Sequence, residues 1–142
     1  MCQLIAAIKA DEELAARFRL LSSLPGIGPI NAASLVLRVP ELGRLEHGQA
    51  ASLIGVAPFD HDSGQYKGTR FISGGRSRPR RMLYLAALAA KRSDPTFKRF
   101  VQHLIDRGKA KKVAIVALMR KLIEAANLVL KRNTPWIKAT PI

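Results

Sequence analysis

The chain has 142 residues, enough for one domain with a modest core. It carries 24 lysines and arginines against 10 acids, a net charge of +14. Its 48% hydrophobic content and near-zero mean hydropathy exclude a disordered chain, and without an apolar run of ~18 residues a membrane span is not expected. The single cysteine, Cys2, excludes an internal disulfide or multi-cysteine metal site. His47, His61 and His103 form no ligand-spaced set, so no metal ligand is assigned in this chain. No basic leader precedes an apolar stretch, so the expected compartment is the cytoplasm. The charge is uneven: residues 1–66 have five basic and seven acidic residues, 67–112 have fourteen and two, and 113–142 have five and one. The middle third reads as an anion-binding surface with nucleic acid as its leading partner, because clustered cations release counterions on binding phosphates.

Residues 3–10 read as a helix with little role in the core. Asp11 is a good N-cap, with Glu12 and Glu13 in a first turn whose dipole favours acids. Leu14, Phe18 and Leu21 follow at helical spacing to about Ser23. In Leu24-Pro25-Gly26-Ile27-Gly28-Pro29, two glycines flank Ile27, and Pro29 suits the start of a helix that stops at Pro40. This helix, glycine turn and helix resembles the helix-hairpin-helix motif of non-sequence-specific DNA-binding proteins. Gly26 and Gly28 are the candidate residues there: both are expected to need the lack of a side chain, for close phosphate approach and for the turn. The other reading is an ordinary helical hairpin.

A short helix is expected over 46–54, ended by Gly55. A long basic loop follows over roughly 58–78, with a short β-hairpin through Tyr66, Thr69, Phe71 and Ile72 as one option for its interior. From Asp62 to Arg81 the sequence holds six basic residues, four glycines and, after Asp62, no acid. Lys67, Arg70, Arg76, Arg80 and Arg81 are its candidate phosphate-binding residues, and Ser63 lies beside Gly64 just upstream. The periodicity of Met82, Leu83, Leu85, Ala86, Ala89 and Ala90 predicts a helix over 79–93. Arg80 and Arg81 then oppose its dipole, so an external anion is expected to account for them. Asp94-Pro95 caps a helix to about Arg107, ended by Gly108. A last helix, mostly buried, is expected over 110–131. The fold class is all-α, with about six helices in a single domain over 1–142.

In this order and spacing, several segments together resemble the C-terminal domain of the IS110/IS116/IS902 transposases of bacterial insertion sequences. They are Leu-Pro-Gly-Ile-Gly-Pro at 24–29, Gly-Val-Ala-Pro at 55–58, Asp-Ser-Gly at 62–64, Gly-Thr-Arg at 68–70 and Ile-Ser-Gly-Gly-Arg at 72–76. Leu-Tyr-Leu-Ala-Ala-Leu at 83–88, Gly108-Lys109, Met-Arg-Lys-Leu at 119–122 and Thr-Pro-Trp at 134–136 continue the match, which covers roughly 18–136. Pro79 departs from it, standing where that family shows an apolar residue. The resemblance implies DNA transposition and recombination. It implies a serine nucleophile, which falls on Ser63. It also implies an N-terminal RuvC-like domain with carboxylates for divalent metal, not found in this sequence. Binding of DNA, of a guide RNA encoded by the element, and homo-oligomerisation of the full-length protein are implied too.

The residues themselves leave the chemistry open. A serine hydroxyl is a poor nucleophile without a base or a polarised target, and no Ser-His-Asp order is evident. Arg70, Arg76, Arg80 and Arg81 can clamp a scissile phosphate and stabilise its developing charge. Equally, Ser63-Gly64 can be a turn, with the arginines only gripping backbone in a non-catalytic DNA- or RNA-binding module.

Overall fold

The computed structural model describes residues 2–56 and 77–137. Among these, seven helices and no strand occur: α1 (Cys2–Ala10), α2 (Glu12–Ser22), α3 (Pro29–Arg38), α4 (Gln49–Ile54), α5 (Ser77–Ser93), α6 (Pro95–Asp106) and α7 (Lys111–Arg132). The described residues are mostly helical, as expected. The option of a β-hairpin and most of the expected 58–78 loop lie outside the described residues. Two starts move. α4 begins at Gln49, because 46–48 forms a turn in which the Glu46 N–H donates to Gln49 Oε1 at 2.7 Å. α5 begins at Ser77, which puts Pro79 in its first turn, where a missing N–H costs no intrahelical bond.

The predicted caps are present. Asp11 accepts from the Leu14 N–H at 3.0 Å, and buried Asp94 accepts from the Thr96 and Phe97 N–H groups at 2.8 and 3.4 Å. α1 contributes more to the core than its sequence suggested: Ile8 is 1% exposed, and the helix packs on α2 and α3. The core is centred on α7, whose Leu118, Leu122, Ile123 and Ala126 are fully buried. Each large apolar side chain removed from water there stabilises the fold by ~1.5–3 kcal/mol. Short turns join α5, α6 and α7, and all three pack on one another. Short turns favour antiparallel neighbours, and the ring of Phe97, just past the end of α5, lies 5.9 Å from that of Trp136, just past the end of α7, so α5 and α7 run broadly parallel, with their N-termini toward one end of the bundle.

One stripe of α7 is polar and occupied. Glu124, Asn127 and Lys131 lie at helical spacing and hold the connector between α3 and α4 by its backbone. Asn127 Oδ1 accepts from the Gly43 and Leu45 N–H groups at 2.7 and 3.3 Å, and its Nδ2 donates to the Leu45 carbonyl at 2.8 Å. Glu124 accepts from the Gly48 and Ala51 N–H groups, both at 3.0 Å, and so caps α4 from another helix. Lys131 Nζ donates to the Leu45 carbonyl at 3.1 Å. From the other side, Arg17 donates to the Pro40 and Leu42 carbonyls. Burial, then the neighbouring charge of Arg44, pulls Arg17 below the ordinary arginine value, with Glu13 acting the other way.

Asn127 is 2% exposed and satisfies three backbone groups. Asn127→Ala is expected to cost about 2–4 kcal/mol, because it strands donors in a partly buried site. Lys131→Ala removes one exposed bond and is expected to cost under ~1 kcal/mol. Urea unfolding of the two variants checks the order; equal losses would refute it.

Candidate nucleic-acid interface

The sequence-predicted residues divide by position. Ser63, Lys67, Arg70 and Arg76 lie outside the described residues. Arg80 and Arg81 stand at the start of α5 beside Arg78, while Gly26 and Gly28 lie in the α2–α3 turn. No acid occupies the first turn of α5 or of α7. α7 begins with Lys111 and Lys112, and its N-cap, Ala110, provides no side-chain hydrogen bond. Arg107 and Lys109 lie in the turn just before it.

The parallel course of α5 and α7 brings Arg78, Arg80, Arg81, Arg107, Lys109, Lys111 and Lys112 to one end of the bundle. Among the described residues Asp106 is the acid at this end, and it accepts from Gln102 Nε2 at 2.9 Å. Helix N-termini already carry partial positive charge, so cations there raise the local potential further. The remaining cations of α5 and α6, Lys91, Arg92, Lys98 and Arg99, flank the α5–α6 turn at the opposite end. Among the described residues, the cations of the basic middle third are therefore divided between the two ends of α5.

The α2–α3 turn is built on Pro25-Gly26. The Ile27 N–H donates to the Leu24 carbonyl at 3.2 Å, and Gly26 has φ +80°, the arrangement of a type II turn. A Cβ on Gly26 would lie 2.2 Å from the Ala86 carbonyl oxygen and 2.7 Å from the Ala90 nitrogen. The glycine is thus required by the close passage of α5. This packing accounts for glycine here independently of any phosphate contact. Gly28 differs: its φ is −84°, it is exposed, and a Cβ there meets nothing within 4 Å. The turn does not require glycine at this position, contrary to expectation. The Gly28, Ile30 and Asn31 N–H groups have no hydrogen-bond partner among the described residues. They are donors at the start of α3 that an anion can take.

Other features of this surface were not read from the sequence. Between α1, α3 and α5 lies a groove of about 470 Å³, floored by Ile30, Leu37 and Met82 and rimmed by Arg38, Arg78 and Arg81. Asn31 Oδ1 and Ser34 Oγ, on α3, are buried without a hydrogen-bond partner. The Trp136 N–H donates to Ser23 Oγ at 2.8 Å, and its ring lies 5.9 Å from that of Phe97, which ties the C-terminal residues to the α2–α3 turn. Arg120, half-buried on α7, donates to the Val56 carbonyl at 3.1 Å. Among the described residues no three His, Cys, Asp or Glu side chains gather as a metal site, and no helix is long and apolar enough to cross a membrane.

The two glycines make opposite predictions. Gly26→Ala is expected to cost about 2–4 kcal/mol, from the clash with α5 and the positive φ. Gly28→Ala is expected to leave stability within ~1 kcal/mol. Thermal unfolding followed by circular dichroism distinguishes them; comparable midpoint losses would contradict this geometry.

Comparison with known proteins places these elements. Pilin gene-inverting proteins of Moraxella bovis and Moraxella lacunata are each 31% identical to the chain over 140 residues, covering 96% of it and 44% of their own length. The uncharacterized 42 kDa protein of insertion element IS900 from Mycobacterium paratuberculosis is 28% identical over 145 residues, covering 92% of the chain and 35% of its own. The chain thus spans less than half the length of these relatives. The profile described as Transposase IS116/IS110/IS902 family matches residues 18–102, from within α2 to within α6 and across the basic segment between. With more than half of its residues inside that match, the chain belongs to the IS116/IS110/IS902 family of transposases.

Proposed function

We propose that this chain is the part of an insertion-sequence transposase that grips DNA and supplies a serine nucleophile for strand exchange. The observation that carries the DNA-binding reading is the basic end of the bundle. Two helix N-termini and seven cations lie toward that end, and the acid among the described residues there, Asp106, is already hydrogen-bonded. A phosphodiester backbone matches this charge, and its binding releases counterions. The open donors at the start of α3 offer a second phosphate contact, in the manner of a helix-hairpin-helix. The names of the relatives, one concerned with gene inversion and one with an insertion element, support recombination as the biological setting.

Ser63 is the proposed nucleophile. Its Oγ attacks a backbone phosphorus and loses its proton to solvent or a nearby base. A P–O bond to one deoxyribose oxygen breaks, and that oxygen leaves as a hydroxyl. One ester bond forms as one breaks, so the phosphoserine link conserves the energy needed to rejoin the strand. Lys67, Arg70 and Arg76, with Arg80 and Arg81 at the start of α5, are the proposed clamp on the phosphate oxygens. Divalent metal chemistry belongs, in this proposal, to a RuvC-like domain acting in cis or in trans. A guide RNA and homo-oligomerisation of the full-length protein, both suggested by family resemblance, remain proposals.

Two measurements test this reading. Replacing Arg78, Arg80 and Arg81 together by Ala is expected to lower the slope of log K against log salt by about 2–3 for a DNA duplex. An unchanged slope removes these residues from the footprint. In a transposase context with the RuvC-like domain supplied, a covalent protein–DNA adduct is expected to map to Ser63 and to vanish in Ser63→Ala. DNA binding without any adduct in the wild type would instead favour a non-catalytic binding module.

A further inference from the structure

The polar stripe of α7 continues past the connector it holds. Toward the N-terminus from Lys131, Asn127 and Glu124, the same helical face carries Arg120, Val116, Val113 and Lys112. The connector covers its C-terminal half. Its N-terminal half is open: Val113 is 52% exposed, Lys112 is exposed, and Val116 and Arg120 are half-buried. Arg120 sits at the boundary. One guanidinium nitrogen donates to the Val56 carbonyl, and the described residues give the group no other hydrogen bond or ion pair. Glu124, one turn away, is not its counter-ion, since its two oxygens are taken by the Gly48 and Ala51 N–H groups, with His47 Nδ1 3.5 Å from Oε1.

A guanidinium has five N–H donors in a rigid fork. A half-buried one with a single neutral acceptor is short of negative charge in a setting where water compensates poorly. The geometry points to Arg120 as a phosphate-binding residue: its free donors take a backbone phosphate of the nucleic acid that runs along the open half of the α7 stripe, toward Lys112 and Lys109. This rests on the nucleic-acid-binding part of the proposed function, but not on the serine chemistry. The occupant is an anion because the open half of the face offers cations and no carboxylate, and Glu124 beyond it is already taken. It is a nucleic-acid backbone because Arg120 and Lys112, two turns apart on one face, match a repeating line of phosphates better than a single small anion. The bond to Val56 makes the same guanidinium a link between the bound phosphate and the residue after which the chain enters 57–76, the stretch containing Ser63.

The test uses the whole 142-residue chain with fluorescein-labelled DNA and RNA duplexes, read by anisotropy over a range of salt. Arg120→Gln is expected to weaken binding of at least one duplex about tenfold and to lower its salt slope by about one. Arg120→Lys, which keeps the charge, is expected to stay within about threefold. Lys131→Gln is the control: Lys131 likewise bonds a backbone carbonyl, that of Leu45, and the variant loses the same charge, yet it is expected to weaken binding less than threefold. If Arg120→Gln fails to fold, the side-chain Nε–H resonance of Arg120 in the wild type, assigned through Arg120→Lys, is expected to shift on adding the duplex. Equal losses in Arg120→Gln and Lys131→Gln, no loss on either duplex, or an unmoved Arg120 resonance at saturation would overturn the inference while leaving the proposed function standing. A wild-type chain that binds neither duplex would overturn both.

Discussion

The grip of α7 on the backbone of the α3–α4 connector is the constraint on which the rest of this structure depends. A connector without regular pairing has peptide groups that must find partners or stay in water. Here Asn127, Glu124 and Lys131 meet those groups one after another along a single helical face, and Arg120 on the same face holds the Val56 carbonyl just past α4. Arg17 closes the other side. The buried polar side chains of α7 therefore do not weaken its core. They fix the path by which the chain travels from α3 to Val56, and so the point from which it leaves for the basic segment.

The close contact at Gly26 supplies the second constraint. α5 approaches the α2–α3 turn so tightly that Gly26 has no room for a side chain, and the nearest atoms the helix presents to it belong to Ala86 and Ala90. The alanine content of α5 thus has a geometric use. It lets the helix whose N-terminus carries Arg78, Arg80 and Arg81 lie against the turn whose exit, at Gly28, carries open backbone donors. The tie from Trp136 to Ser23 secures the same turn from the C-terminal side.

Much of this was legible in the sequence where the signal is local. Asp11, Asp94, Pro29 and Gly108 mark helix ends through short-range chemistry, and each helix they bound is present. What depends on distant neighbours was not legible. Gly26 and Gly28 look alike two residues apart, yet only one faces another helix. The run of cations from 67 to 112 looks like one cluster, yet the turn at Asp94 sends Lys91, Arg92, Lys98 and Arg99 away from Arg78 and Lys111. Glu124 and Asn127 gave a usable signal that was not taken up: an acid and an amide three residues apart in an otherwise apolar helix call for buried partners. Arg120 stands out in the sequence only within Met-Arg-Lys-Leu at 119–122, because its bond to Val56 spans 64 residues.

The sequence distance bridged by that grip bears on how the molecule folds. α5, α6 and α7 can pair through short turns, whereas the bonds from α7 to the connector close loops of 76 to 86 residues. Loop-closure entropy disfavours such contacts until the surface that rewards them exists. The three-helix unit is therefore expected to assemble first and to act as the template on which the connector settles. In kinetic terms the connector contacts fall after the barrier, so loosening Asn127 should hasten unfolding far more than it slows folding. The part of the chain leading into the basic segment would then be the last to lock and the first to release.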